Sequence, residues 1–446
     1  MAQKGLRIAF PFLIAATFSI TCLALMGSKE AKTTKVPLSE SQSKVTYAEH
    51  VKPILDRACI GCHRPGEVAP FSLIGYENAK KWAPMIDLIT KTKKMPPWKA
   101  VKGYNEFLDE NRLSESELDT LHRWNEANAP RGDAKKEPKT PEFPKGPWPL
   151  GEPDLVLTPD TAYKLDAEGA DVYRHFVLKT KFTDTKWVKA MAVSPGNKLV
   201  VHHVIAYLDE KGKSHQLSGK DGQAGYNTFG GPGFVPDGSL GGWAPGLNVQ
   251  YTPEGVAFEL KPGTTVVMEV HYHKTGKPET DQTKLGIYFA KEPVVQTMAL
   301  AWLAKPNIRI QSGDGNSVQT MAYPVPADVT VYNAMPHMHL LAKSMKAEVE
   351  FPDGTKKPMV YVEDWDFNWQ MSYMFKEPMK IPKGSTIRIT SVYDNSASNP
   401  NNPSNPPKNV FWGEQTTDEM MLLICGYTVD GVKAPRRRML GFGDGG

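Results

Sequence analysis

Val200-Val201-His202-His203-Val204-Ile205-Ala206-Tyr207, "VVHHVIAY", is a β-branched, apolar run of strand length with two adjacent imidazoles in its middle. It predicts a buried strand. Neighbouring strand residues point to opposite faces, so two histidines side by side pose a question that a single core histidine would not. Outward from this run, residues 154–446 alternate short Val, Ile, Thr, Tyr and Phe segments with Gly, Pro and Asn clusters and lack long helical periodicity. That pattern predicts antiparallel β-sandwiches, and a length well beyond one typical sandwich predicts two, divided into 154–292 and 293–446.

The chain has 446 residues, with 53 basic and 49 acidic side chains and a formal charge of +4. So even a balance points to no nucleic-acid partner. Lys4 and Arg7 precede the apolar run "AFPFLIAATFSITCLALMG" (Ala9–Gly27), the layout of an export signal, so residues 1–27 are expected to be a signal peptide or a retained membrane anchor. The expected location is periplasmic, or membrane-anchored and facing the periplasm. Of four cysteines, Cys22 lies in the leader and two in "CIGCH", which leaves Cys425 alone and makes a disulfide framework impossible.

Cys59-Ile60-Gly61-Cys62-His63 is the C-x-x-C-H pattern of c-type haem attachment, in which two thiols form thioethers and the histidine supplies an axial nitrogen. No second cysteine pair exists to complete a four-cysteine zinc shell. Met95, in "KKMPPWKA" and stiffened by the two prolines behind it, is the candidate sixth ligand. Its rival, Met85, lies in an amphipathic helical pattern and reads as core filler. A capping box, Ser114-x-x-Glu117, opens a helix predicted over Glu115–Asn128, buried through Leu118, Leu121 and Trp124, with His122 solvated. These features predict a small all-α cytochrome c domain at 45–130, followed by a Pro- and Lys-rich linker at 131–153.

Partners for His202 and His203 come from two further runs. In "TTVVMEVHYHKTG" (264–276), Val266, Met268, Val270 and Tyr272 share one face, which leaves Glu269, His271 and His273 on the other, read as the wetter side. In "NAMPHMHLLAK" (333–343), His337 and His339 share a face, a geometry in which two strand imidazoles can hold one ion. Imidazole together with eighteen methionines in an exported β protein points to copper ahead of zinc, calcium or magnesium.

Four short motifs in this order, "VHHV", "MEVHYH", "PHMHL" and "TTDEM", resemble the copper type II, ascorbate-dependent monooxygenases, the family of peptidylglycine α-hydroxylating monooxygenase and dopamine β-monooxygenase. The resemblance implies two jelly-roll-like sandwiches, each supplying one copper across a solvent-filled cleft. It assigns His202, His203 and His271 to the first copper, which requires a local distortion of the strand at His202-His203. It assigns His337, His339 and Met420 to the second, and leaves His273 outside, with Met421 as the rival to Met420. The chain departs from the family in lacking its disulfides. It also has Met335 where the peptide enzymes place an arginine, and Leu422 and Ile424 where they place polar groups. A less polar substrate follows. The whole chain is then expected to be multidomain, an all-α cytochrome c domain followed by two all-β antiparallel sandwiches.

What the resemblance implies chemically is a copper-dependent monooxygenase that hydroxylates a C–H bond of a small organic substrate with dioxygen. The Met-ligated site would activate dioxygen and the three-histidine site would store the second electron. The fused haem would supply electrons, fed by ascorbate, a quinol pool or another cytochrome. The alternative is a non-catalytic copper and haem electron-transfer or copper-binding protein on the same scaffold.

Overall fold

The strand Thr265–Tyr272 shows how this sequence builds its sheets. It pairs antiparallel with Val172–Lys179 on one side and with Val201–Asp209 on the other. With Tyr226–Asn227 and Gly238–Trp243 at the edges, these form one five-stranded sheet. Phe176, Val204, Val266, Met268, Val270 and Tyr272 on its inner face meet Val188, Leu260, Leu285 and Ile287 of a second five-stranded sheet. Alternation therefore does what a strand requires on the core face. The computed structural model describes residues 44–432 apart from 109, 246 and 248. The described residues from Val45 onward form one compact unit.

The chain leaves this first sandwich after Gln296–Thr297, a short strand in its second sheet, and enters the next with Ala299–Ala304. There Ala299–Ala304, Leu422–Val429, Val329–His337 and Tyr373–Ile381 face Ser317–Pro324, Thr386–Tyr393, Ala342–Glu350 and Lys356–Val362. Between them lies a large core of aliphatic side chains and methionine, including Met338, Met345, Met359 and Met421. Cys425 is buried in it, and burial pushes its thiol up to about 12.

The small all-α cytochrome c domain expected at 45–130 is not present. Among the described residues strand accounts for 36% and helix for 12%. The N-terminal helices, Lys52–Ala58, Tyr76–Lys81, Ala83–Lys91 and Glu115–Glu126, are few and short. The physical reason lies in the middle of the segment, which belongs to another core. Val101 N–H donates to the Tyr361 carbonyl and Leu108 N–H to that of Met374, each at 2.8 Å. Ala100 and Phe107 are buried among the second sandwich's core residues, Phe107 against Tyr373 and Phe375. A smaller cluster around Tyr47, Leu121 and Trp124 holds the helices themselves together.

Local signals fared better than the domain they suggested. Glu115–Glu126 opens with the reciprocal Ser114 and Glu117 capping box, and it ends where Asn128 and Ala129 take positive φ. Met85 is 45% exposed, so it is not the core filler its helical position suggested. His122 lies 3.0 Å from Asp87 and is not merely solvated. The segment 131–153 is docked at its far end, where Trp148 packs on Ala190, Ala192 and Tyr288. Among the described residues no helix is long and apolar enough to cross a membrane. The leader expected at 1–27 lies outside those residues.

If Phe107 is part of the second core, Phe107→Ala should lower stability by about 3–5 kcal/mol. Urea unfolding followed by far-UV circular dichroism and by tryptophan fluorescence should give coincident, left-shifted transitions. Two separate transitions, with only the helical signal affected, would refute the shared core.

Candidate metal site

The strand Val201–Asp209 does not keep simple alternation. Val201 pairs with Tyr272 and His203 with His271, so two steps on one strand match one on the other and His202 is the extra residue of a bulge. That bulge lets neighbouring histidines reach one place. Ligand nitrogens of His202, His203 and His271 all lie within 4.8 Å of one another. The His203 Nδ1 is 3.2 Å from that of His202 and 3.3 Å from that of His271. Two nitrogens bound tetrahedrally to one ion at about 2.0–2.1 Å stand about 3.4 Å apart, so the spacing fits a metal's inner ligands.

The remaining nitrogen of His271 is held, its Nε2 lying 2.9 Å from Asp171 Oδ2. A carboxylate behind a ligand imidazole fixes the ring and leaves the other nitrogen free to coordinate. Burial alone would raise Asp171, but hydrogen bonds and charge from His271 and His273 outweigh it and hold the carboxyl below its usual range. His273 is 68% exposed, lies 3.2 Å from the other Asp171 oxygen, and is outside the cluster. Burial, then the neighbouring His271, pulls His202 down to about 4, and burial holds His203 well below its ordinary value. Both are therefore neutral near pH 7, the form that binds metal.

The histidine face of Thr265–Tyr272 is not the wetter side. All eight residues are buried, Glu269 and His271 included. Val267 is covered by Tyr207 and Tyr226. Glu269 Oε2 lies 2.7 Å from His175 Nε2, and its other oxygen is 3.9 Å from His203 Nε2. Tyr173 stacks on His271 at 4.3 Å and donates to the backbone oxygen of Glu414 in the second sandwich.

His337 and His339 lie at the end of the strand Val329–His337 and just beyond it, with ring centroids 5.2 Å apart and Met338 turned into the core between them. His337 Nδ1 bonds Gln370 Oε1, and His339 Nδ1 lies 3.1 Å from the Asp418 carbonyl. The Nε2 of each is the nitrogen left for an ion. Burial lowers both, His339 to about 3. Glu419 accepts from the backbone N–H groups of His339, Leu341 and Met420. It thereby ties the segment bearing Met420 to the histidine pair. Met421 is buried in the second core, while Met420 is only half-buried. Two imidazoles and a thioether suit copper.

The two clusters meet at one side chain. Phe367 stacks on His202 at 5.6 Å and 19° and presents its edge to His339 at 5.9 Å and 84°. It lies in "DWDFNWQM" (364–371), a loop whose Trp365 donates to the His339 carbonyl at 3.0 Å and whose Gln370 holds His337. The sequence reading missed this loop, although four apolar or aromatic residues at alternate positions outside any strand were a visible signal. It also missed Asp171 and Glu419.

The C-x-x-C-H segment forms a turn that continues Lys52–Ala58. Cys62 and His63 N–H groups both donate to the Cys59 carbonyl, at 3.2 and 2.9 Å. His63 Nδ1 lies 3.2 Å from the Phe71 carbonyl, which leaves Nε2 for iron. Burial pushes the Cys59 thiol up to about 12 and raises that of Cys62. Met95 sits half-buried in the loop after Ala83–Lys91, its N–H on the Ile89 carbonyl at 3.3 Å.

No protein-family profile matches the sequence, and no curated protein is similar to it. Solved structures similar in part include the infectious bursal disease virus Gt strain, at TM-score 0.19 and 8% identity over 63% of this chain and 73% of that one. Another is the major capsid protein P2 of bacteriophage PM2, at 0.22 and 11% over 62% and 97%. A third is the VP2 subviral particle of infectious bursal disease virus, at 0.20 and 9% over 66% and 77%. Likeness this slight carries no argument about fold or function.

Two measurements check the site. Asp171→Asn should weaken Cu(II) binding at the three-histidine cluster by about 10–100-fold in a competition titration and leave a second copper unaffected. His339 has a depressed folded pKa, so its contribution to stability is fully present above the unfolded value near 6.5 and is lost as pH falls toward 3. In metal-free protein, His339→Gln should therefore shrink the stability loss between pH 7 and pH 4. An unchanged loss would mean that the imidazole is not buried neutral.

Proposed function

We propose that the chain is an exported copper-dependent monooxygenase that hydroxylates a C–H bond of a small, weakly polar substrate, as the resemblance to the type II copper enzymes implies. The observation that supports it most is the convergence of ring nitrogens from His202, His203 and His271 within 4.8 Å of one another, with His203 Nδ1 at ligand spacing from both of the others. A second imidazole pair, tied through Glu419 to the backbone of Met420, lies one aromatic ring away.

Bound copper would supply one-electron storage and dioxygen activation. The chain's own residues do the rest. Asp171 orients His271, and Gln370 and the Asp418 carbonyl orient His337 and His339. Glu419 fixes the backbone on either side of this second set. The uncharged side chains Met335, Leu422 and Ile424 along the paired strands favour a substrate without a carboxylate. Covalent haem is proposed at Cys59 and Cys62, with His63 as axial ligand and Met95 as its partner, to bring electrons from outside.

A non-catalytic electron-transfer role is the second reading, since ring contact between the clusters would serve it equally. The two part on the fate of dioxygen. Reduced, copper-loaded protein given ¹⁸O₂ and a substrate panel should yield a product carrying label, and this should collapse in His202→Ala and Met420→Ala. Rapid reoxidation with no labelled product would favour the second reading. Replacing Cys59 and Cys62 by Ala should remove the haem-stained band on a denaturing gel. A band that persists would refute attachment there.

A further inference from the structure

Phe367 touches a proposed ligand from each cluster, whereas the resemblance implies an open, solvent-filled gap between them. Its ring lies nearly parallel to His202 of the first sandwich and edge-on to His339 of the second. Its position is set by the second sandwich. Asp366 Oδ1 accepts from the Asn368 backbone and side chain, and Trp369 N–H donates to the Asp366 carbonyl, which closes a tight turn around it. Gln370 Nε2 donates to the Phe367 carbonyl at 3.0 Å while its oxygen holds His337. Trp365 N–H donates to the Lys343 carbonyl, and its indole to that of His339. Lys99 reaches from the N-terminal segment to Asp364 at 2.8 Å. The loop is thus pinned on both sides of its apex and to both histidines of the second cluster.

We propose that Phe367 is a positioning residue that sets the separation of the two histidine clusters, a rigid spacer carried by the second sandwich and seated on His202. A phenyl ring suits this role because it contributes contact area with only two side-chain torsions to fix and carries no donor atom that would compete for the ion. Stacked and edge-on contacts at these centroid distances are the favoured aromatic geometries. The inference rests on the copper reading for its consequence, but the spacer contact itself exists without metal.

The test has two arms. Copper is first counted in the parent, and a count below two defeats the copper reading alone. With two coppers bound, pulsed dipolar electron paramagnetic resonance should show a narrow Cu(II)–Cu(II) distance distribution in the parent and in Phe367→Tyr, and a broadened or shifted one in Phe367→Ala. Copper affinity at each cluster should stay within a few-fold of the parent. In metal-free protein, diethyl pyrocarbonate modification of His202, read by mass spectrometry, should rise severalfold in Phe367→Ala and return to the parent rate in Phe367→Tyr. This second arm decides the contact whatever the copper count. An unchanged distance distribution, or His202 modified equally fast in all three proteins, overturns the proposal.

Discussion

One extra residue in one strand governs the candidate site. Were Val201–Asp209 regular, one of His202 and His203 would face the core of the first sandwich and the other would face away from it. The shift between Val201 and His203 against Tyr272 and His271 breaks that rule at a single point, and beyond it Val204 and Ala206 return to the core. The distortion is local, so the sandwich keeps its register while the site gains two adjacent donors. A comparable irregularity occurs in the other sandwich, where Val331 pairs with Tyr427 but Met335 with Ile424. There Asn333 takes up the slack by accepting from Gly426 N–H at 2.7 Å and donating to Ser372. A side chain at Gly426 would collide with Asn333, its Cβ falling 2.5 Å from the amide oxygen.

Burying a polar stripe is costly unless each group finds a partner, and here nearly every one does. His175 meets Glu269, His271 meets Asp171, and Tyr207 lies 3.5 Å from Glu269. The partners lie far apart in sequence, which is how the face of one sheet can be closed over without orphaned groups. Among the described residues an oxygen of Glu414 is a buried atom without a hydrogen-bond partner. Burial pushes that carboxyl up to about 7, so its neutral form is within reach near neutral pH.

The sequence was legible wherever one element decided the outcome. The strand at His202-His203, the alternation of Val266, Met268, Val270 and Tyr272, and the Ser114 and Glu117 cap are local patterns, and each is found in place. The expected cytochrome domain failed because helix signals at both ends of residues 45–130 say nothing of Ala100–Leu108 between them. That stretch is too short and irregular to show periodicity, and its partners lie some way downstream. The wetter face failed for a related reason. Alternation distinguishes the two faces of a strand but does not reveal that Leu217 and Phe234 cover one end of the polar face, while the second sandwich reaches the other through Glu414 and Phe367. Asp171 is 100 positions from His271, and no spacing rule links them.

The interleaving of Ala100–Leu108 with the second sandwich also bears on the order of assembly. Lys99 and Asp364 are 265 positions apart, and Lys376 pairs with Glu106 across 270. Contacts of such long range form late, because closing a large loop costs chain entropy before any contact repays it. Synthesis delivers Ala100–Leu108 well before the strand Tyr373–Ile381, so Phe107 must wait for its covering partners Tyr373 and Phe375. A nascent chain therefore carries Ala100 and Phe107 uncovered until Tyr373–Ile381 has been made, while the cluster around Tyr47, Leu121 and Trp124 can close on its own.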